Sequence, residues 1–254
     1  MKMARGFALL GVMLVALAAV AGCTGGKGDV LRVGTEASFP PFEVSDDDNN
    51  IVGFDIDLIK AIAEDNGWEV EVVNLTFASL VESLATDKLD IIIAAMTIDE
   101  ERSERVLFSD PYFDAYQCIV TRADDTRSIT VDNIAQQGLV IAVQMGTTGS
   151  YEAEAIYDDN MDHPNIKQYQ RVNEAFMELK SGRVDLVIID KPVAENYIAQ
   201  LGGMKILGDP FTNEQYGIAV QKGETQMLNK INASLKKLRD NGEYDKIFEK
   251  WFEN

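Results

Sequence analysis

Apolar residues fall along this chain in two alternating patterns: short continuous runs, and stretches with helical period. Residues 30–33 read as a strand, and residues 54–66 as an amphipathic helix stopped at Gly67. A strand is expected at 70–73. Thr76 is placed to cap a helix reaching about Ala85, with Leu80, Val81 and Leu84 on one face. Residues 90–95 form a continuous apolar run, as expected for a strand buried on both faces of a parallel sheet. The pattern then restarts, with a strand at 139–143, helices at 150–156 and 173–180, and a buried strand at 184–189. Pro192 opens another helix, where its missing N–H costs nothing. The tail reads as two helices, 225–241 and 243–252, parted by Gly242. Two βαβ sets in series predict an α/β protein of two lobes.

The first residues stand apart. Lys2 and Arg5 precede an uncharged run from Gly6 to Val20, which as helix would cover about 22 Å, short of the roughly 30 Å hydrocarbon core. An export signal over residues 1–22 fits better than a permanent span. It ends in Val20-Ala21-Gly22-Cys23, which resembles a lipobox, so Cys23 is the expected lipid-attachment site and residues 23–29 a tether. The alternative is a small-residue cleavage site that happens to adjoin a cysteine. The other cysteine, Cys118, lies among apolar neighbours, where a buried, inert thiol is expected and no disulfide forms.

Removal of residues 1–22 takes away two cations and no acid. Lys+Arg then number 21 against 42 Asp+Glu, a formal −21 over 232 residues. Such a surface repels nucleic acid and anionic lipid and keeps the molecule a soluble monomer. No serine or cysteine has a histidine at nearby spacing, and neither metal-ligand clusters nor a phosphate loop occur, so no cofactor, metal or catalysis is expected. The only histidine, His163, falls in a polar segment and reads as solvated.

A set of motifs goes further. Gly34-Thr35-Glu36-Ala37-Ser38-Phe39-Pro40-Pro41-Phe42-Glu43 is followed by Val52-Gly53-Phe54-Asp55-Ile56-Asp57-Leu58 and by Ala94-Ala95-Met96-Thr97-Ile98 with Arg102. Then come Phe108-Ser109-Asp110-Pro111-Tyr112, Gly146-Thr147-Thr148-Gly149-Ser150, residues 185–190, Tyr216-Gly217-Ile218-Ala219-Val220, and an ending from Asn241 to Phe252. In this order and spacing the chain resembles the polar amino-acid-binding proteins of ABC importers, with a type II periplasmic binding fold. The resemblance implies a first lobe of residues 30–117 and 212–254, and a second of 121–208. Two hinge strands, near 118–120 and 208–211, would join them, with ligand enclosed in the cleft. It also implies an extracytoplasmic, lipid-anchored protein that delivers its ligand to permease subunits in the membrane.

The same resemblance, carried over residue by residue, assigns the site. Arg102 would fork onto a ligand carboxylate; without the resemblance it would read as an ion pair with its acidic neighbours. Thr97, just past the end of a strand, would offer its N–H to carboxylate and its hydroxyl to ammonium, with the Ala95 carbonyl beside it; the alternative is a helix cap. Thr147 and Thr148 would supply donors from the far wall, and Asp190 would receive the ammonium. Phe39 and Phe77 are expected as walls, while Phe42 and Phe54 are expected in the core. Glu36 and Gln144 would line the side-chain end. A carboxylate at Glu36 favours a cationic or amide side chain, because a second anion would be repelled there. Gln144 keeps glutamine open beside the basic amino acids. Two other readings remain: a dehydratase of cyclic carboxylic acids on the same fold, and a sensory ligand-binding module.

Overall fold

The computed structural model describes residues 30–253; the expected signal, lipid site and tether lie outside the described residues. Two five-stranded sheets organise the chain. The first runs in the order Val70–Asn74, Leu31–Thr35, Ile91–Ile92, Ala219–Gln221, Val106–Phe108, and the second in the order Ile166–Tyr169, Ile141–Gln144, Leu186–Asp190, Gln117–Arg122, Met204–Leu207. In each sheet the first three strands are parallel, and the fourth strand is antiparallel to both of its neighbours. The fourth strand follows a crossing between the lobes in both cases, so each sheet takes one strand from the chain's passage. This is the two-lobed α/β architecture that the alternating pattern predicts.

The crossing itself lies a few residues from where it was expected. Residues 118–120 sit inside the second sheet, flanked on both sides. The passing segments are Phe113–Ala115 and Glu214–Tyr216, which pair antiparallel, continued by Phe211 N–H donating to the Gln117 carbonyl at 3.0 Å. A two-strand connection is present, displaced toward the first lobe.

Most predicted elements appear with small changes at their ends. The helix Phe54–Asn66 stops at Gly67, which takes the left-handed conformation. At its other end Gly53 has φ +144°, and a Cβ there would lie 1.9 Å from the Phe42 carbonyl oxygen, so only glycine fits. Thr76 does not cap: its hydroxyl bonds the Ser79 hydroxyl, and a 3₁₀ turn, Phe77–Ser79, precedes the helix Leu80–Ala85. The apolar run 90–95 keeps strand geometry only over Ile91–Ile92, although Ile93, Ala94 and Ala95 are also buried. Pro192 is the second residue of the helix Lys191–Leu201. The strand Ile166–Tyr169 was not foreseen, because only Ile166 in it is buried and it lies on the sheet edge. His163 is half-buried and stacks on Tyr157 at 4.0 Å, a departure from the solvated role.

Phe42 and Phe54 pack as expected. Phe42 makes edge contacts with Phe113, Tyr216 and Phe252 at 4.9–5.3 Å between centroids, which fastens the C-terminal helix Glu243–Phe252 to the first lobe. Cys118 is fully buried, and burial pushes its thiol up to about 12.

Candidate ligand-binding site

The two sheets present their strand ends to each other, and the lobes touch through polar side chains. Arg102 lies in the helix Glu100–Arg105, whose N-terminus is capped by Asp99 accepting the Arg102 N–H at 2.7 Å. That cap frees Thr97 from the capping role. The guanidinium is buried at the interface. It donates to the Thr97 carbonyl at 2.7 Å and, across to the second lobe, to the Gly146 carbonyl at 2.9 Å. It lies 5.3 Å over the Phe77 ring and 6.0 Å from that of Tyr151. Gly146 approaches so closely that a Cβ would stand 3.2 Å from Ala78, and its φ of +78° suits glycine besides.

Asp190 ends the strand Leu186–Asp190 and precedes a helix, yet its side chain caps nothing. Instead its Oδ1 accepts the Tyr216 hydroxyl from the first lobe at 2.6 Å. Burial, with Glu214 nearby as the second cause, raises its carboxyl to about 7, against the bonds from Tyr216 and Gln117. Thr97 and Tyr216 form a β-bridge. One short backbone link therefore joins the residue under the guanidinium to the residue on the carboxylate. Arg102 and Asp190, on different lobes, converge on the same interface.

Glu36 is 1% exposed and accepts from the Ser38 hydroxyl at 2.7 Å and, across the cleft, from Gln144 Nε2 at 2.9 Å. Arg171 stands 3.7 Å from its other oxygen. Burial raises the carboxyl, and these three partners hold it down. Glu36 and Gln144 thus meet across the cleft, and Arg171 joins them unforeseen. Phe39 and Phe77 are both buried; Phe39 lies 6.3 Å from Phe42, whereas Phe77 packs with Leu80, Met96 and Arg102.

Ala95 is held in a left-handed conformation, φ +45°, a strain of about 1–2 kcal/mol for a residue with a Cβ. Asp55 fixes it by accepting the Ala95 N–H at 2.7 Å, and the same oxygen takes the Tyr112 hydroxyl at 2.7 Å. Asp55 is raised to about 7 by burial, and Glu43 beside it well above the usual range, by burial and then by the Asp55 charge.

Thr147 and Thr148 differ from expectation in one respect. The Thr147 hydroxyl accepts the Ser150 N–H at 3.3 Å and donates to the Gln144 carbonyl at 2.8 Å, while the Thr148 hydroxyl donates to Glu214 at 2.8 Å. Both hydroxyls are engaged within the protein. At the start of the helix Thr148–Ile156 the Ser150 N–H is taken by Thr147, and the N–H groups of Thr148 and Gly149 before it have no intrahelical acceptor. A hollow of about 140 Å³ is lined by Phe77, Met96, Arg102, Gly146 and Tyr151, and another of about 550 Å³ by Thr97, Thr148, Thr212 and Glu214 among others. A third, about 610 Å³, lies elsewhere on the first lobe beside Tyr112 and Tyr244, and none of the expected site residues lines it.

Sequence reasoning missed Glu214, Tyr216 as a cleft residue, Gln117, Arg171 and Tyr151. Tyr216 stood within a quoted motif, but nothing local shows that its hydroxyl crosses to the other lobe.

Residues 31–254 match the model of the bacterial extracellular solute-binding proteins, family 3. The chain belongs to that family. A probable histidine-binding protein of Neisseria gonorrhoeae is 35% identical over 228 residues, covering 89% of this chain and 84% of the relative. Among solved structures, a mutant of ArgBP from T. maritima is 45% identical with a TM-score of 0.83, covering 89% of this chain and 96% of that one. An ancestral arginine-binding protein bound to arginine is 44% identical, also with a TM-score of 0.83, over 88% and 98%. With these neighbours the two-lobed family 3 chain is a type II periplasmic binding fold.

Proposed function

We propose that this family 3 chain captures a free basic amino acid, arginine first, outside the cytoplasm and delivers it to an ABC import permease without chemical change. The observation that carries the reading is the convergence of a buried guanidinium and a buried carboxylate from opposite lobes, Arg102 and Asp190, at one interface. A small zwitterion satisfies both: carboxylate to Arg102 and the helix start at Thr148, ammonium to Asp190, Thr97 Oγ1 and the Ala95 carbonyl. Glu36 with Gln144 then meets the cationic side chain, between Phe39 and Phe77. Relatives named for histidine and arginine fit that charge pattern.

In this reading the lobes, residues 30–117 with 212–254 and residues 121–208, close about the crossing segments when ligand binds. Cys23 carries the lipid that keeps the protein at the membrane face; a Cys23→Ala chain should then no longer incorporate a labelled fatty acid.

A thermal-shift screen over the twenty amino acids, ornithine and citrulline tests the function. Ligand at a hundred times its Kd contributes about 2.7 kcal/mol, or about 5–11 °C in a domain pair of this size. A flat response to all of them would refute the proposal. The raised carboxyls of Asp190 and Glu36 could serve a dehydratase as general acid. Incubation with arogenate or prephenate, followed by ultraviolet absorbance of an aromatic product, separates that activity from binding alone.

A further inference from the structure

Glu214 belongs to none of the expected contacts, yet it accepts hydroxyls from both lobes. It opens the strand Glu214–Tyr216, where the chain has just re-entered the first lobe, and is 9% exposed. Its Oε2 accepts two hydroxyls, Thr97 of the first lobe at 2.7 Å and Thr148 of the second at 2.8 Å. Its Oε1 accepts the Thr212 hydroxyl at 2.8 Å, and Thr212 Oγ1 in turn accepts the N–H of Gln117 on the other passing segment at 2.8 Å. Gln117 Nε2 closes the circuit by donating to Thr148 Oγ1 at 3.1 Å.

We propose that Glu214 is a positioning residue for the amine end of the site, setting which way Thr97 and Thr148 face a ligand; this rests on the amino-acid-binding reading above. A threonine hydroxyl has one proton and two lone pairs. With its proton on Glu214, Thr97 Oγ1 turns only lone pairs to the cleft, so it accepts from an ammonium and cannot donate to a carboxylate. Thr148 Oγ1, its proton also on Glu214 and a lone pair taken by Gln117, leaves its helix N–H as the group for an anion. Glu214 also adds a second negative charge near Asp190, and its field contributes to the raised carboxyl there. The amine is thereby directed to the Thr97–Asp190 side and the carboxylate to Arg102. Because Thr97 and Thr148 stand on different lobes, the shared acceptor is complete only when the lobes meet.

The test compares L-arginine with agmatine, which keeps the amine and lacks the carboxylate, and with 5-guanidinopentanoate, which keeps the carboxylate and lacks the amine. Glu214→Gln is expected to weaken arginine and agmatine at least tenfold each and 5-guanidinopentanoate less than threefold, by calorimetry or displacement. Equal losses for all three ligands would reduce Glu214 to a structural strut, and a loss under threefold for arginine would remove its role. Should Glu214→Gln fail to fold by circular dichroism, Thr97→Val is read by the same criteria, since it deletes the hydroxyl and retains the carbonyl under Arg102. A wild-type protein that binds no amino acid refutes the function itself; a wild type that binds arginine, with losses that do not split by amine, refutes only this placement.

Discussion

The sharpest perturbation available is Arg102→Ala. The guanidinium has five N–H donors; two bonds tie it to the Thr97 and Gly146 carbonyls and its Nε pairs with the Asp99 carboxylate at 3.2 Å, which leaves one N–H on each terminal nitrogen as a fork for a carboxylate beside Phe77 and Tyr151. Truncating one member of a buried, hydrogen-bonded charge pair costs about 2–5 kcal/mol, or about 30- to 4000-fold in affinity. The lower figure applies if water refills the hollow beside Phe77, the upper if the ligand carboxylate stays dry. The bond to Gly146 spans the lobes, so its loss weakens the closed form as well and falls on any ligand. Agmatine separates the two effects. The variant should lose arginine by the full factor and agmatine by much less, so that the wild-type preference between them collapses. Calorimetry on both ligands, with an unfolding melt to show that the variant is folded, is the assay. A loss of arginine binding under threefold, or an equal loss for agmatine, would show that Arg102 does not hold the carboxylate.

Other outcomes follow from the same geometry. Glu36→Gln should impair arginine far more than glutamine, and equal losses would remove the reason to favour basic ligands. Asp190 has a folded carboxyl near 7 against about 4 unfolded, so its stabilising contribution is complete below about pH 4 and is lost as pH rises through 7. Asp55 acts in the same direction. The ligand-free protein should therefore gain stability in urea melts between pH 8 and 5.5, whereas arginine affinity should fall over that interval as Asp190 takes up a proton. Asp190→Asn should raise the ligand-free melting point at pH 8 and weaken arginine at least tenfold; a lower melting point there, or unchanged affinity, contradicts the assignment. The Cys118 thiol should resist a disulfide reagent in the native protein and react fully in urea, and rapid native labelling would show that the second sheet opens.

The fold could be read from local pattern because helices and buried strands leave their period in the residues that face the core. Where pattern and structure differ, a side-chain partner or an edge position accounts for it. The run 90–95 leaves the ladder early, and three residues on Asp55 draws the Ala95 N–H into a left-handed bend. Thr76 was a sound cap by type, but the Ser79 hydroxyl offered it a nearer partner than the backbone. The strand Ile166–Tyr169 hid because an edge position tolerates Lys167 and Gln168.

Taken alone, the sequence determined the alternation of elements, the two lobes and the family resemblance, since each is written in short stretches of chain. Tertiary structure decided what those side chains do to one another. Glu214 meets Thr97 across 117 positions and Thr148 across 66, and Tyr216 meets Asp190 across 26. No local signal encodes such meetings. They exist because two passing segments bring the ends of separate sheets within hydrogen-bond reach, and there burial turns ordinary carboxyls and hydroxyls into groups with a fixed direction and a shifted proton affinity.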